Sequence, residues 1–472
     1  NFGNNYTTGD GKNEYPATPN YDMVTGLGSY NALSLATDLE TLAKLQNPPP
    51  TPSPSPTLSP SPSPSPNPNP GNAPVSKTWY FAEGRVGGGF TEYLTMENPD
   101  PTNDCSVNIQ YLLDGGSSLT KTVTVPHASR FKESVNTDLN VAATASIYQT
   151  NSAIVTVNSF LSPNCAGIVA ERSIYFTNFT GISSGYDVFG ATQAAHTFYF
   201  ADVPTGGGFA SFITILNPGT VIANITATYD VGGTIVNTQT LAVPSGTRGT
   251  IMPNNTGSLH HAAVIVTSDQ PVVVERPDYF KNVKEGNAKT VSGASSVVGA
   301  HFLKNDWLFS EGYTGGKFQE YFVLANFGMT PIAANMILEF SNGHTETVAY
   351  TIAPLDQTII DVNQVVANNV GTCDTTPCQP TQQVAAEIIG NGNFIAEREM
   401  LFTYSNKTKN FKVTAMGGTD VIGLAVPGGY TSYSFAEGNT NKGYNELLAL
   451  QNPTANAETC LLYTSPSPRD RQ

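Results

Sequence analysis

Three short strand-like runs carry the charge pattern most able to do chemistry: Val169-Ala-Glu-Arg-Ser-Ile-Tyr-Phe176, Val273-Val-Glu-Arg-Pro-Asp-Tyr-Phe280 and Ile395-Ala-Glu-Arg-Glu-Met-Leu-Phe402. A Glu-Arg pair set three times into apolar surroundings could grip a sugar or a peptide. Neighbours on a strand face opposite sides, however, so Glu171 and Arg172 do not form one constellation. The simpler expectation is structural, with Arg172, Arg276 and Arg398 pairing with Glu83, Asp202 and Glu311 of their own repeats. The other candidates are sparse. His260-His261 is the sole histidine pair and reads as solvated loop. Trp79, Tyr80, Phe81 and Trp307 could build a sugar platform but read better as core. No phosphate loop, HExxH or Gly-x-Ser-x-Gly occurs.

The elements that position these residues repeat. Trp79-Tyr-Phe-Ala-Glu-Gly84 returns as Phe198-Tyr-Phe-Ala-Asp202, Trp307-Leu-Phe-Ser-Glu-Gly312 and Tyr433-Ser-Phe-Ala-Glu-Gly438. Nine residues after the central phenylalanine stands an aromatic (Phe90, Phe209, Phe318, Tyr444), and seventeen after it an asparagine (Asn98, Asn217, Asn326, Asn452). The periods are 119, 109 and 126 residues, one small domain each. Between cassettes, β-branched runs flank glycine turns. Ile225–Val231, Gly232-Gly233 and Thr234–Val243 read as a hairpin, and Val107–Leu113 with Leu119–Val125 as its counterpart. Pro126, Pro244 and Pro354 close strands.

The expected fold is mainly β: tandem immunoglobulin-like antiparallel β-sandwich repeats, preceded by a small α/β remnant and a Pro-rich linker. Repeat one spans 78–195, repeat two 196–304 and repeat three 305–429. A truncated fourth, 430–459, holds only the first strands. Residues 460–472, Cys-Leu-Leu-Tyr-Thr-Ser-Pro-Ser-Pro-Arg onward, resemble translated sequencing adapter and are set aside. Between Pro48 and Pro74, 13 of 27 residues are proline. This linker, 47–77, is expected to run as polyproline II at roughly 3.1 Å per residue, a spacer of up to about 80 Å.

Composition narrows the setting. Charged residues make up 12% of the 472, with a net charge of −15. That balance disfavours nucleic acid as a partner and suits an extracellular protein. No apolar run approaches the 18 residues of a membrane span. With Cys460 excluded, the cysteines form two pairs, Cys105 with Cys165 and Cys373 with Cys378, expected as disulfides of an oxidising compartment. Asn5, Asn178, Asn224, Asn254 and Asn406 lie in glycosylation sequons.

Residues 1–46 differ from the repeats. A loop leads to Tyr21-Asp-Met-Val-Thr-Gly-Leu-Gly-Ser29, and a helix capped by Ser29 carries Leu35, Leu39 and Leu42 on one face. This stretch resembles the C-terminal end of the sedolisin (serine-carboxyl) peptidase family: secreted, subtilisin-fold endopeptidases with a calcium site near the end of the catalytic domain. The resemblance implies a calcium ligand set of Asn5 and the Tyr6 carbonyl, the Thr18 and Asn20 carbonyls, and Asp22. Asn5 stands where the family carries Asp, so the site has one negative charge fewer. The family's catalytic Glu/Asp pair and Ser lie upstream, and no catalytic residue is carried over. The implied protein is a secreted sedolisin-like serine endopeptidase acting on protein or peptide substrates, ending in accessory domains that bind a surface or polymer or simply stabilise it. The alternative is a non-enzymatic cell-surface adhesin made of β repeats.

Overall fold

The computed structural model describes residues 75–257, 259, 261–369, 383–408, 411–425, 429–439 and 446–462. The sedolisin-like stretch with its calcium ligands, most of the linker, and the Cys373–Cys378 pair lie outside them. What is described is mainly β, with antiparallel pairing throughout.

Three modules repeat one pairing scheme. In the first, the cassette strand Thr78–Phe81 pairs with Tyr148–Val157, which also pairs with the hairpin Cys105–Leu113 and Ser118–Val125. A second set places Phe90–Asn98 between Ser129–Ser134 and Val169–Phe179, with Ile182–Phe189 outside the latter. In the second module one strand of 23 residues, Ala263–Glu285, pairs with the cassette strand and hairpin through its first half and with Phe209–Ser211, Ile213–Asn217 and Lys289–Val298 through its second. The third repeats this with Val384–Thr408, of 25 residues. The first module interrupts the same path with a loop in which Cys165 bonds to Cys105, their Cα atoms 5.4 Å apart.

Local chemistry explains the elements. The hairpin Ala223–Val231 with Thr234–Val243 turns on Gly232 (φ 58°) and Gly233 (φ 81°), consecutive positive angles that favour glycine and match the twist of a two-residue turn. Strands end at Val125, Val243 and Ile352, one or two residues before the prolines. Trp79 and Trp307 are fully buried; each indole N–H donates to a backbone carbonyl, Ile168 O at 2.8 Å and Phe394 O at 3.2 Å. They are core, not platform.

Beyond Ile422 no strand occurs among the described residues, so the expected first strands of a fourth repeat do not form there. Each preceding cassette strand pairs with the central strand of its own module, and no such partner follows Ile422 among those residues. The fourth cassette instead places Ala436 in the hydrophobic core of the first module.

Candidate functional site

The repeated polar residues converge where modules meet. Glu171, Arg172, Glu275, Arg276, Glu397 and Arg398 are all buried, because the strands carrying them are covered on both faces. Alternation along the strand therefore does not put one member of each pair in water.

At the junction of modules one and two, Arg172 donates to the backbone carbonyl of Glu83, in its own cassette. Its Nη2 lies 2.8 Å from Glu275 Oε2, the Glu of the next module's motif. Glu275 also accepts the Ala82 N–H through Oε1 at 2.7 Å. The Glu83 carboxylate meets Arg248 of module two at 3.2 Å. Burial raises the Glu83 carboxyl, and the guanidinium groups of Arg248 and Arg172 oppose that. Burial likewise pushes Glu92 up to about 7, against Arg172.

The junction of modules two and three repeats the plan with different charges. Arg276 donates to the Asp202 carbonyl and its Nη1 stands 3.0 Å from Glu397 Oε2; Glu397 Oε1 accepts the Ala201 N–H at 2.5 Å. Arg276 also binds Asp278, at 2.7 Å, and Asp420. Asp202 pairs with His261 at 2.8 Å. Burial opposes the charged imidazole, but Asp202 outweighs it and holds the His261 pKa at about 9. Burial pushes Glu397 and Glu399 well above the ordinary carboxylate range.

The expected pairing of each arginine with its own cassette acid needs correction. Arg172 and Arg276 reach the backbone of that residue, while their carboxylate partners are Glu275 of the next module for Arg172, and for Arg276 Glu397 and Asp420 of the next module together with Asp278 on its own strand. Only Arg398 binds its own cassette carboxylate, Glu311 Oε2 at 2.8 Å. All three arginines donate to the carbonyl of their own cassette acid, and the carboxylates of Glu83 and Asp202 pair instead with Arg248 and His261. Of the expected solvated pair His260-His261, His261 is half-buried and held by Asp202, and His260 lies outside the described residues.

Two asparagine sets build the frame around these junctions. The one seventeen residues after the cassette phenylalanine is buried in each module: Asn98, Asn217 and Asn326. Its Nδ2 donates to the carbonyl ending the hairpin, Val125, Val243 or Ile352, at 3.1, 2.9 and 3.2 Å. Its Oδ1 accepts the N–H two residues on. The second set went unread in the sequence. Asn136, Asn254 and Asn363 each donate to the carbonyl of the +9 aromatic, Phe90, Phe209 and Phe318, at 3.0, 2.9 and 2.9 Å. Each also accepts the N–H two residues beyond that aromatic. Their signal was present: they follow Asn98, Asn217 and Asn326 by a near-constant spacing. The +9 aromatics lie opposite the last phenylalanine of each Glu-Arg motif, Phe90 over Phe176, Phe209 over Phe280 and Phe318 over Phe402, with ring centroids 5.1, 5.8 and 5.3 Å apart.

Among the described residues no group of three or more His, Cys, Asp or Glu side chains is placed to hold a metal, and no helix is long and apolar enough to cross a membrane. The arrangement binds modules to one another. No protein-family model matches the chain. No curated protein matches it. Among solved structures it is similar to a Thermotoga maritima protein, described as "Crystal Structure of Thermotoga maritima 1070", at 13% identity over 25% of this chain and 92% of that one, with a TM-score of 0.18.

Proposed function

We propose that this chain belongs to a secreted sedolisin-like serine endopeptidase: residues 1–46 end its catalytic domain, and the β modules are non-catalytic accessory domains behind a proline-rich spacer. We read each module as an immunoglobulin-like sandwich, its cassette–hairpin set facing its Glu-Arg set. The observation that carries the division of labour is the fate of the repeated charges. The Glu-Arg motifs were the best candidates for chemistry within the modules, and they are spent on module junctions. The signal for an activity is then left to the Tyr21–Ser29 stretch, which resembles the end of a peptidase domain. The Cys105–Cys165 bond suits an oxidising, extracellular setting.

The ligand set Asn5, Tyr6, Thr18, Asn20 and Asp22 consists of oxygen donors alone, which fits calcium rather than zinc. With a single carboxylate it would bind less tightly than a set with two. Bound there, calcium would tie the loop to the end of the catalytic domain, while the residues themselves orient oxygens and do no chemistry. In the full-length protein, chelation is expected to lower both thermal stability and hydrolysis of an unfolded protein substrate, and Asp22→Ala to reproduce both losses. A full-length protein without proteolytic activity would overturn the peptidase reading in favour of the adhesin. An active protein indifferent to chelator and to Asp22→Ala would remove the calcium site alone.

A further inference from the structure

The two junctions follow one rule: the cassette of a module inserts the N–H after its central phenylalanine into the motif glutamate of the next module. Ala82 meets Glu275 and Ala201 meets Glu397, and both alanines are fully buried. The rule leaves two ends. Residues 1–77 carry no cassette, so none of them repeats at Glu171 the contact that Ala82 and Ala201 make with Glu275 and Glu397. At the other end, Ser310 of the third cassette is exposed.

The fourth cassette meets Glu171. Ala436 N–H donates to Glu171 Oε1 at 2.6 Å, and Ala436 is as buried as its counterparts. The acid that follows is clamped in the same way. Glu437 lies 2.8 Å from Arg130, as Glu83 lies 3.2 Å from Arg248. Arg130 and Arg248 hold the same register position, opposite the residue just before Asn98 and Asn217 respectively. Thr95 Oγ1 donates to Glu437 Oε2 at 2.8 Å, Arg130 donates to the Gly438 carbonyl at 3.1 Å, and Lys132 stands 3.6 Å from Glu437. Phe435 packs on Phe189, ring centroids 6.0 Å apart.

We propose that the Glu171–Arg130 face of the first module is a socket for the fourth cassette of the same chain, Tyr433–Gly438, which turns the row of modules back on its own start. The chain supplies the occupant, and the occupant carries the sequence the socket is built for: an aromatic, a residue small enough to be buried, then an acid. Glu171 lies beside Asp187, so without a donor it would be a buried acid against a second acid; the Ala436 and Glu437 N–H groups relieve it. Cis docking removes the open end at which a second copy would otherwise add, and repetition of such additions builds fibres. This inference is independent of the peptidase reading.

The test uses the whole chain at low micromolar concentration. Glu437→Arg and Arg130→Glu are each expected to raise proteolytic cleavage within 430–439 about tenfold, a loss of about 1.4 kcal/mol in local closing. The double exchange Arg130→Glu/Glu437→Arg is expected to restore protection. Glu437 lies outside the fold of the first module, so Glu437→Arg reads docking without unfolding it. Unchanged cleavage in both single variants, or a double variant cleaved as fast as either, overturns the socket. Protection that increases with protein concentration, with dimers by native mass spectrometry that Glu437→Arg abolishes, overturns the cis assignment and makes the occupant a second copy.

Discussion

The two module junctions share a backbone plan and differ in charge balance. At the first, two buried cations face two buried carboxylates, Arg172 with Glu275 and Arg248 with Glu83, and Arg248 also stands 3.6 Å from the exposed Asp114. At the second, Arg276 alone meets Glu397, Asp278 and Asp420. Arg248 has no cationic counterpart there, since Gln357 occupies its register position, and His261 supplies the missing charge at Asp202. The hydrogen bond from the cassette N–H to the motif glutamate is common to both. Docking is thus specified by backbone geometry, and charge balance is a variable laid over it. A buried pair adds little net stability against an apolar replacement, yet breaking it from one side is costly.

The largest expected effect is at Arg276. Arg276→Ala strands three buried carboxylates and is expected to cost about 3–5 kcal/mol in denaturant unfolding of the second junction. Arg172→Ala, which strands fewer, should cost less. Equal losses would erase the contrast between the junctions.

Arg248→Gln places at the first junction the residue found at the second. It leaves the Glu83 carboxylate without its guanidinium partner and is expected to cost about 2–3 kcal/mol at neutral pH. A neutral outcome would mean that the first junction does not need its second cation.

The acid-rich junction also sets a pH dependence. Glu397 and Glu399 have folded pKa values raised above their unfolded ones, chiefly by burial, and His261 is raised to about 9. Elsewhere Glu92 rises to about 7 and Glu320 to about 8. For each, the folded chain holds more protons than the unfolded chain between the two pKa values, so stability falls as pH rises through that window. The carboxylates act from about pH 4.5 upward, and His261 from about 6.5 to 9. Tm is therefore expected to fall by roughly 5–10 °C from pH 5 to pH 9. The exposed Asp100, lowered to about 2 by local hydrogen bonds, acts only below this range. A flat or rising Tm would contradict the upward shift that burial gives these acids in the fold.

The smallest effect sharpens the same point. His261→Gln removes a cation that is partly solvent-exposed, and is expected to cost less than about 1 kcal/mol at pH 7. Its diagnostic is a shallower fall of Tm between about pH 6.5 and 9, with the fall at lower pH little changed.

By itself the sequence determined the repeat, its turns and its strands, because these follow from local rules. A glycine pair turns a hairpin, proline ends a strand, and β-branched alternation makes one. The regular +17 asparagine was legible as a position but not as a role. Its partners lie 26 or 27 residues away across the hairpin, and no local pattern names a carbonyl at that distance. The Glu-Arg motif was legible too, and alternation on a strand correctly separated Glu171 from Arg172. What alternation cannot say is what covers each face. Tertiary structure decided that both faces are buried, that the arginine of one module meets the glutamate of the next, and that the fourth cassette packs into the first module. Those pairings join residues about a hundred or more positions apart, between surfaces that exist only once each module has folded. Spacing along the chain records the repeat unit, whereas the way the units meet depends on surface shape and charge in three dimensions.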